Sequence, residues 1–319
     1  MKHYIGIDLG GTNIAAGLVN ENFEIVAKAN CPTALPRPAA EVEADMARLC
    51  RELVQANGLT MEDIDWVGVG TPGSVDPTIG FVGFNANFGY HNWYLGSDMQ
   101  ALLGRPVFIE NDANAAAYGE YAAGALRGTS CSIAITLGTG VGAGIILDGK
   151  LFSGHNHTGG ELGHMVIVKG GRPCMCGRRG CWEKYASARA LTEDTREAMR
   201  SHPDNCMWQL AEGDLEKVNA KTAFDALRAG DALAREVIDG YLEYVACGLI
   251  NIINIFQPEV ICIGGGVSRE GETILAPLRR YMDEEDYARS GEKRTRVVTA
   301  QLFNDAGIVG AAMLGMQNA

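Results

Sequence analysis

Hydrophobic positions near the start of the chain follow a strand pattern that glycine interrupts once. The stretch Tyr4–Leu9 leads into Gly10-Gly11-Thr12, and a second apolar stretch, Asn13–Val19, follows at once. A strand that turns back through glycines into another strand is a β-hairpin. The segment is therefore not the strand-to-helix phosphate loop of a Walker motif.

The same plan recurs in the middle of the chain. The apolar stretch Ser132–Leu137 enters a glycine-rich segment, residues 138–144, and a further apolar stretch ends at the turn Asp148-Gly149. A dinucleotide-binding fingerprint must open a helix, and here a strand follows instead. The repeated pattern predicts two similarly folded domains that face each other across a nucleotide cleft.

Helical periodicity separates these strands. In residues 39–57, apolar side chains recur at helical spacing and predict an amphipathic helix. Other predicted helices cover residues 113–123, 186–199, 223–227, 234–256 and 306–316, and other predicted strands cover residues 64–69, 106–109, 260–263 and 297–302. Residues 80–95, rich in Gly, Phe, Asn and Tyr, are predicted to form a long loop. The mixture indicates the α/β class.

Composition and net charge argue against nucleic-acid binding and against a membrane protein. The chain has 319 residues, 47% of them hydrophobic, and a net charge of -12, which gives no attraction to nucleic acid. No stretch approaches the roughly 20 apolar residues of a membrane-spanning helix, and no signal-peptide pattern opens the chain, so a cytoplasmic protein is expected. Six scattered cysteines are expected to be buried free thiols: Cys31, Cys50, Cys131, Cys206, Cys247 and Cys262.

The other three cysteines are clustered. Cys174, Cys176 and Cys181 lie within eight positions, and His164 precedes them by ten residues. Three thiolates and one imidazole are the ligand set of a closed, structural tetrahedral Zn²⁺ site, with no open position for a reacting water. The alternative is a group of free, buried thiols.

The motif Glu161-x-x-His164 followed by C-x-C-G-x-x-G-C-x-E resembles the zinc and sugar motif of the ROK family. That family contains bacterial sugar kinases and sugar-responsive repressors. The resemblance implies that His164 binds zinc through one ring nitrogen and sugar through the other. It also implies that Glu161 and Glu183 contact sugar hydroxyls.

A second candidate site lies at Glu110-Asn111-Asp112, between a predicted strand and an alanine-rich helix. Ligands of open α/β sheets bind at the carboxyl ends of strands. Asp112 would either cap the helix or accept the proton of an attacking sugar hydroxyl. The helix N-terminus is expected to make it a weak base, which phosphoryl transfer tolerates.

The ROK resemblance implies that Asn111 binds sugar and that Asp112 is the general base. It also assigns two further residues to the sugar pocket. Gly73 lies in the turn Thr71-Pro72-Gly73, and Asn87 lies in the predicted loop.

The hairpin motif D-x-G-G-T resembles the first phosphate motif of the actin, hexokinase and Hsp70 superfold. Turn N–H groups can cradle phosphate, and Asp8 can hold hydrated Mg²⁺. Residues 138–140 resemble the second phosphate loop, and residues 264–266 the adenosine-side motif. The expected nucleotide-binding residues are Asp8, Gly10, Gly11, Thr12, Asn13, Gly138, Thr139, Gly140, Gly264, Gly265 and Gly266.

The resemblance covers almost the whole chain and predicts two actin-like ATPase (ribonuclease H-like) domains around a central cleft. The first would comprise residues 1–117, with the helix at 305–319 packing back on it, and the second residues 118–304 with the zinc loop. The implied activity is an ATP- and Mg²⁺-dependent hexose kinase, most like the family's bacterial glucokinases. Glucose is the expected sugar, while N-acetylmannosamine, fructose and allose stay open, and a homodimer is expected.

Two other function classes are consistent with parts of the sequence. Sugar-responsive regulators of the family carry a helix-turn-helix module ahead of the D-x-G-G-T strand, whereas here that strand starts at residue 4. This position and the acidic charge favour the kinase. A zinc-ribbon interaction module would explain residues 164–181 but not the glycine hairpins.

Overall fold

The computed structural model of the protein describes residues 2–85 and 88–317. The chain forms two compact units. Unit 1 comprises Met1–Ala134, Gly144–Gly160 and Gln301–Ala319, and unit 2 comprises Ile135–Ala143 and Glu161–Ala300. Residues 118–134 and 144–160 thus belong to unit 1, whereas the sequence prediction places them in the second domain.

Strands and helices alternate along most of the chain, as the sequence pattern predicts. The strands are β1 (His3–Leu9), β2 (Asn13–Asn20), β3 (Ile25–Pro32), β4 (Ile64–Thr71), β5 (Ser74–Asp76), β6 (Phe81–Asn85), β7 (Tyr90–Trp93), β8 (Val107–Asn111), β9 (Cys131–Leu137), β10 (Val141–Leu147), β11 (Lys150–Leu151), β12 (Val260–Gly264) and β13 (Arg296–Thr299). The helices are α1 (Ala39–Ala56), α2 (Leu95–Leu103), α3 (Asp112–Ala123), α4 (Glu183–Ala186), α5 (Ala188–Ser201), α6 (Met207–Leu210), α7 (Ala220–Arg228), α8 (Ala232–Phe256), α9 (Glu272–Glu285) and α10 (Ala306–Met313).

The main sheet of unit 1 has the strand order β3-β2-β1-β4-β8. The predicted hairpin is present, because β1 pairs with β2 in antiparallel orientation. Strand β4 runs parallel to both β1 and β8, with Asp8 opposite Gly70 and Thr71 opposite Asn111. The carboxyl ends of β1, β4 and β8 therefore lie along one edge of this sheet.

Helix α1 contributes the predicted apolar face to the core of unit 1. Its five periodic positions, Val42, Met46, Leu49, Leu53 and Val54, are all buried. They pack in one cluster with side chains of β1 and β4 such as Ile5, Ile7 and Val67. The 3.6-residue period thus identified the buried face correctly.

Helix α10 packs on α3, β1 and β4 at the distance of backbone contact. A Cβ on Gly6 would lie 1.9 Å from the carbonyl oxygen of Ile308, and one on Gly310 would lie 1.6 Å from that of Ala115. Only glycine, which has no Cβ, allows main chains to come this close. Helix α10 is consequently held against the helix that begins at Asp112.

Residues 80–95 are not a simple loop, so that part of the prediction was wrong. Strands β5, β6 and β7 form a separate three-stranded antiparallel sheet. Val82 lies opposite Trp93, and both side chains are buried. Glycine and polar aromatic residues hide the short alternating pattern, and tertiary packing decides the structure.

Most of the six scattered cysteines are not buried, contrary to the prediction. Cys50 and Cys262 are buried, Cys31, Cys131 and Cys206 are partly exposed, and Cys247 is exposed on α8. The apolar sequence around a cysteine does not specify which side of its helix or strand it occupies. In the part of the chain that the structure describes, no helix has both the length and the apolar character needed to cross a membrane.

Helix α8 supports the Cys/His loop of unit 2 through one aromatic contact. Trp182, directly after Cys181, is fully buried, and its indole N–H donates to the carbonyl oxygen of Tyr244 at 2.8 Å. A Cβ on Gly248 would lie 2.0 Å from the indole ring. Gly248 therefore makes room for the tryptophan that anchors the loop to α8.

We expect Gly248→Ala to lower the melting temperature, although alanine normally favours a helix by about 1 kcal/mol over glycine. The new methyl group overlaps a buried ring, and such overpacking costs about 1–3 kcal/mol. Gly240→Ala in the same helix is the matched control, because nothing lies within 4 Å of its Cβ position. Thermal unfolding of both variants tests this, and equal stabilisation by both would contradict the packing argument.

Candidate functional site

The carboxyl edge of the parallel strands in unit 1 brings together residues that are far apart in sequence. Asp8 is the last residue but one of β1, Thr71 ends β4, and Asn111 ends β8 directly before Asp112. The register places Asp8 beside Gly70, whose Cβ position lies 3.7 Å from the Cα atom of Asp112. Ligands of α/β sheets bind at such edges.

Asn111, and not Asp112, is the N-cap of α3. The side-chain oxygen of Asn111 accepts hydrogen bonds from the N–H groups of Ala113 at 2.9 Å and Asn114 at 3.3 Å. The carboxylate of Asp112 also accepts from Ala113 at 2.9 Å. Because Asn111 already accepts hydrogen bonds from the first N–H groups of α3, the second carboxylate oxygen of Asp112 is not needed to cap the helix.

Two partly buried carboxyl groups lie at this edge, and the charge of Asp112 acts on Asp8. Burial, and then the charge of Asp112, raises the pKa of Asp8 from 3.8 to about 6. Burial also raises the pKa of Asp112, although the Ala113 N–H group opposes the shift. The expectation that the helix N-terminus makes Asp112 a weak base was therefore wrong, since desolvation outweighs the helix dipole.

The first glycine turn is closed and braced from β3. The N–H of Gly10 donates to the carbonyl oxygen of Asn13 at 3.0 Å, while the side chains of Thr12 and Asn13 are exposed. The buried Thr33 donates from its hydroxyl to Gly10 at 2.7 Å and from its N–H to Thr12 at 2.9 Å. Sequence reasoning missed Thr33, because only the fold brings it to the turn.

Gly73 is joined to the same edge. The side-chain amide of Asn111 donates to the carbonyl oxygen of Gly73 at 3.3 Å. Gly73 has a φ of 111°, and a Cβ there would lie 2.4 Å from the carbonyl oxygen of Phe84. The position thus requires glycine. The other predicted pocket residue, Asn87, lies outside the described residues.

In unit 2, the glycine segments at residues 138–140 and 264–266 lie together. A Cβ on Gly265 would lie 2.4 Å from the carbonyl oxygen of Leu137, directly before Gly138. The loop at 138–140 is closed by a 3.0 Å hydrogen bond from the Gly138 N–H to Gly140. The first residue of α5, Ala188, donates to Gly138 at 2.8 Å. The exposed Thr139 and Gly266 lie on the two segments.

The predicted metal ligands converge in unit 2. One ligand atom from each of His164, Cys174, Cys176 and Cys181 lies within 4.8 Å of the others. Ligands about 2.0–2.3 Å from a single zinc ion are separated by distances of this order. Burial raises the pKa of the Cys174 thiol to about 12, so a thiolate there needs a bound cation. The four side chains fit a closed zinc site.

The two ring nitrogens of His164 face different groups. Its Nδ1 atom faces Cys174 at 3.6 Å, inside the cluster, and its Nε2 atom faces the carboxylate of Glu161 at 4.0 Å. Glu183 contacts the cluster at Cys174. One of its oxygens is 3.1 Å from the Cys174 sulfur, and the other is 2.8 Å from the Cβ position of Gly140. Glu161 and Glu183 therefore both lie beside the cluster, the first near His164 and the second near Cys174.

These features define a nucleotide-dependent α/β enzyme class: glycine hairpins that can hold phosphate, acidic groups at a strand edge, and a Cys/His cluster flanked by glutamates. The chain belongs to the ROK family, whose model matches residues 4–318.

Two proteins named glucokinase are similar to it along their whole length. Glucokinase of Thermotoga maritima is 40% identical over 312 residues, which are 97% of this chain and 96% of the relative. A crystal structure of a ROK family glucokinase from Streptomyces griseus, in complex with glucose and AMPPNP, has a TM-score of 0.84 at 36% identity and covers 99% of both chains. The predicted α/β, actin-like ATPase fold is confirmed.

A regulator has the same fold. The crystal structure of a ROK family transcriptional regulator, a homolog of the E. coli MLC protein, has a TM-score of 0.86 at 26% identity. The match covers 98% of this chain and 78% of the regulator. Fold alone therefore does not separate kinases from regulators in this family.

Replacing Asp8 with Asn should raise the melting temperature by about 2–4 °C near pH 7.5, because a neutral amide removes the repulsion from Asp112. The folded-state pKa of Asp8, about 6, lies above the ordinary 3.8, so the wild type loses stability as pH rises through this range. The difference should vanish near pH 4. A variant less stable than wild type near pH 7.5 would contradict the repulsion.

Proposed function

We propose that this protein is an ATP-dependent glucose kinase, which transfers the γ-phosphoryl group of ATP to a glucose hydroxyl and forms glucose 6-phosphate. The observation that carries the proposal is the full-length similarity to glucokinases. The arrangement in unit 1, with Asn111, Asp112 and Gly73 at one strand edge, supplies groups suited to this reaction.

Asp112 is the proposed general base. Its raised pKa makes the carboxylate a better proton acceptor than an exposed aspartate, and Asn111 keeps it at the start of α3. In the loose transition state of phosphoryl transfer, placing the hydroxyl matters more than base strength. The Asn111 amide, fixed by its cap and by Gly73, can donate its remaining N–H to a sugar oxygen.

ATP enters with Mg²⁺, which neutralises charge on the transferring phosphoryl group. Asp8 is the residue of unit 1 proposed to hold the hydrated cation, because two repelling carboxylates favour a cation nearby. The turn Gly10–Asn13 and the loop Gly138–Gly140 offer N–H groups to phosphate oxygens. Residues 264–266, packed beside that loop, are proposed to face the adenosine.

The Cys/His cluster is proposed to hold a structural zinc ion. His164, Cys174, Cys176 and Cys181 would be its ligands, and the ion would fix the loop that carries the sugar contacts. His164 would then present its Nε2 atom to a sugar hydroxyl between the carboxylates of Glu161 and Glu183. A homodimer is also proposed, as the family resemblance implies.

Glucose-dependent ADP release, measured in a panel with N-acetylmannosamine, fructose and allose, tests the function. The proposal requires that glucose give the highest kcat/KM. A higher value for another sugar would move the assignment to that substrate. DNA binding in gel retardation without sugar-dependent ADP release would favour the regulator.

Asp112→Asn should reduce kcat by at least about 100-fold, because the variant cannot accept the hydroxyl proton. Glucose binding, followed by calorimetry, should stay close to that of wild type. Asp231→Asn is the matched control: Asp231 caps α8 through a hydrogen bond from Ala234 at 2.7 Å and has no proposed role. Near-normal kcat in the Asp112 variant would refute the base assignment.

Cys176→Ser should lose the bound zinc and raise the KM for glucose, because one thiolate ligand is removed from a four-ligand site. Cys247→Ser is the control, since both cysteines are exposed but Cys247 lies outside the cluster. The measurement is zinc content by mass spectrometry, with about one ion per chain expected in wild type and control. Equal zinc in both variants would remove Cys176 from the ligand set.

A further inference from the structure

Three polar side chains outside the described site form a second cluster in unit 1. The Nδ1 atom of His157 lies 3.1 Å from the hydroxyl oxygen of Ser153. The Nε2 atom of His157 lies 3.7 Å from a carboxylate oxygen of Asp76. Asp76 ends β5, three residues after Gly73. The imidazole therefore links the segment that follows β11 to the strand that follows the Gly73 turn.

The segment around His157 is a closed loop. The N–H of Gly159 donates to the carbonyl oxygen of Ser153 at 2.8 Å, and the backbones of Gly154 and Gly159 are in contact. His157 has a φ of 59°, in the left-handed region that a non-glycine residue occupies at a cost. The loop thus holds the imidazole in an unfavourable backbone conformation that its two side-chain contacts offset.

Two carboxyl groups, those of Asp76 and Glu110, interact electrostatically with His157. Hydrogen bonds from Thr78 lower the pKa of Asp76, and the charge of His157 adds to this effect. The buried Glu110 on β8 also feels the positive imidazole, which opposes the rise of its pKa that burial causes. Carboxylates of β5 and β8 thus act on the ring. Strand β5 follows the proposed sugar residue Gly73, and β8 ends at the proposed sugar residue Asn111.

We propose that His157 is a positioning residue for the sugar site. By pairing with Asp76, it fastens the loop at 153–159 to the strand after Gly73. The loop runs through Gly160, which has a φ of 88°, directly into Glu161. This link between His157 and Asp76, the clasp, therefore restricts where Gly73 and the end of the loop at Gly160 can lie. This inference rests on the proposed sugar kinase activity.

A loop clasp of this kind predicts a change in sugar affinity and little change in chemistry. His157→Gly keeps the left-handed backbone without strain but removes the ring, and we expect it to raise the KM for glucose about three- to fivefold, as loss of a partly exposed ion pair would. The value of kcat should stay within about twofold, because the residues around Asp112 are unchanged. Asp76→Asn should give the same result.

The double variant decides whether the two side chains act through each other. If they do, His157→Gly with Asp76→Asn should raise KM no more than either change alone. Asp148→Gly is the matched control, because Asp148 also has a left-handed φ, 51°, in the turn between β10 and β11. The clasp would be overturned if the KM effects of the two single changes multiplied in the double variant. It would also be overturned if Asp148→Gly raised KM as much as His157→Gly does.

His157→Asn separates the ring from the backbone. Asparagine tolerates a left-handed φ, but its side chain is too short to span Ser153 and Asp76 together. We expect its KM to match that of His157→Gly. A wild-type KM would show that backbone conformation, and not the imidazole, positions the loop.

Amide hydrogen exchange gives a readout that does not depend on activity. Residues 153–161 should exchange about tenfold faster in His157→Gly and Asp76→Asn than in wild type or Asp148→Gly, because the loop opens more often. Unchanged exchange would refute the clasp. If wild type released no ADP with any sugar, the proposed function would fail, and the exchange data would still decide whether the clasp exists.

Discussion

The electrostatic repulsion between two carboxyl groups at one strand edge is the constraint on which the rest of the site in unit 1 depends. The parallel register of β1, β4 and β8 puts Asp8 and Asp112 close enough that each charge opposes the other. Such an arrangement costs stability in the isolated protein. A cation bound at the proposed Asp8 site would remove this repulsion.

The position of Asp112 depends in turn on backbone packing. Helix α3 can approach α10 only because Gly119 and Gly310 carry no side chains at the crossing. Glu120, the residue after Gly119 on α3, is buried and accepts hydrogen bonds from the backbone of Gln301 and Leu302. These contacts fix α3 along its length. The carboxylate at its start is therefore placed by residues that have no chemical role.

In unit 2, the constraint is different, because a loop with few apolar residues has to be held in one conformation. The four Cys/His side chains converge without a sheet or long helix to carry them, and Trp182 ties the segment to α8. A zinc ion would supply the remaining rigidity. Glu183 lies between this cluster and the glycine loop at Gly140, so ordering the cluster also orders one side of that loop.

The sequence alone determined the features that depend on neighbours along the chain: the two glycine hairpins, the buried face of α1 and the four residues of the Cys/His cluster. Each follows from a fixed spacing, such as the helical period or the short reach of a ligand loop. Only the tertiary structure decided the features that depend on distant partners. The pKa direction of Asp112 came from burial, which overcame the helix dipole. Strands Phe81–Asn85 and Tyr90–Trp93 paired because Val82 and Trp93 are buried opposite each other, and His157 met Asp76 across 81 positions of sequence. Desolvation and packing are set by what surrounds a residue in space, and sequence spacing does not record that.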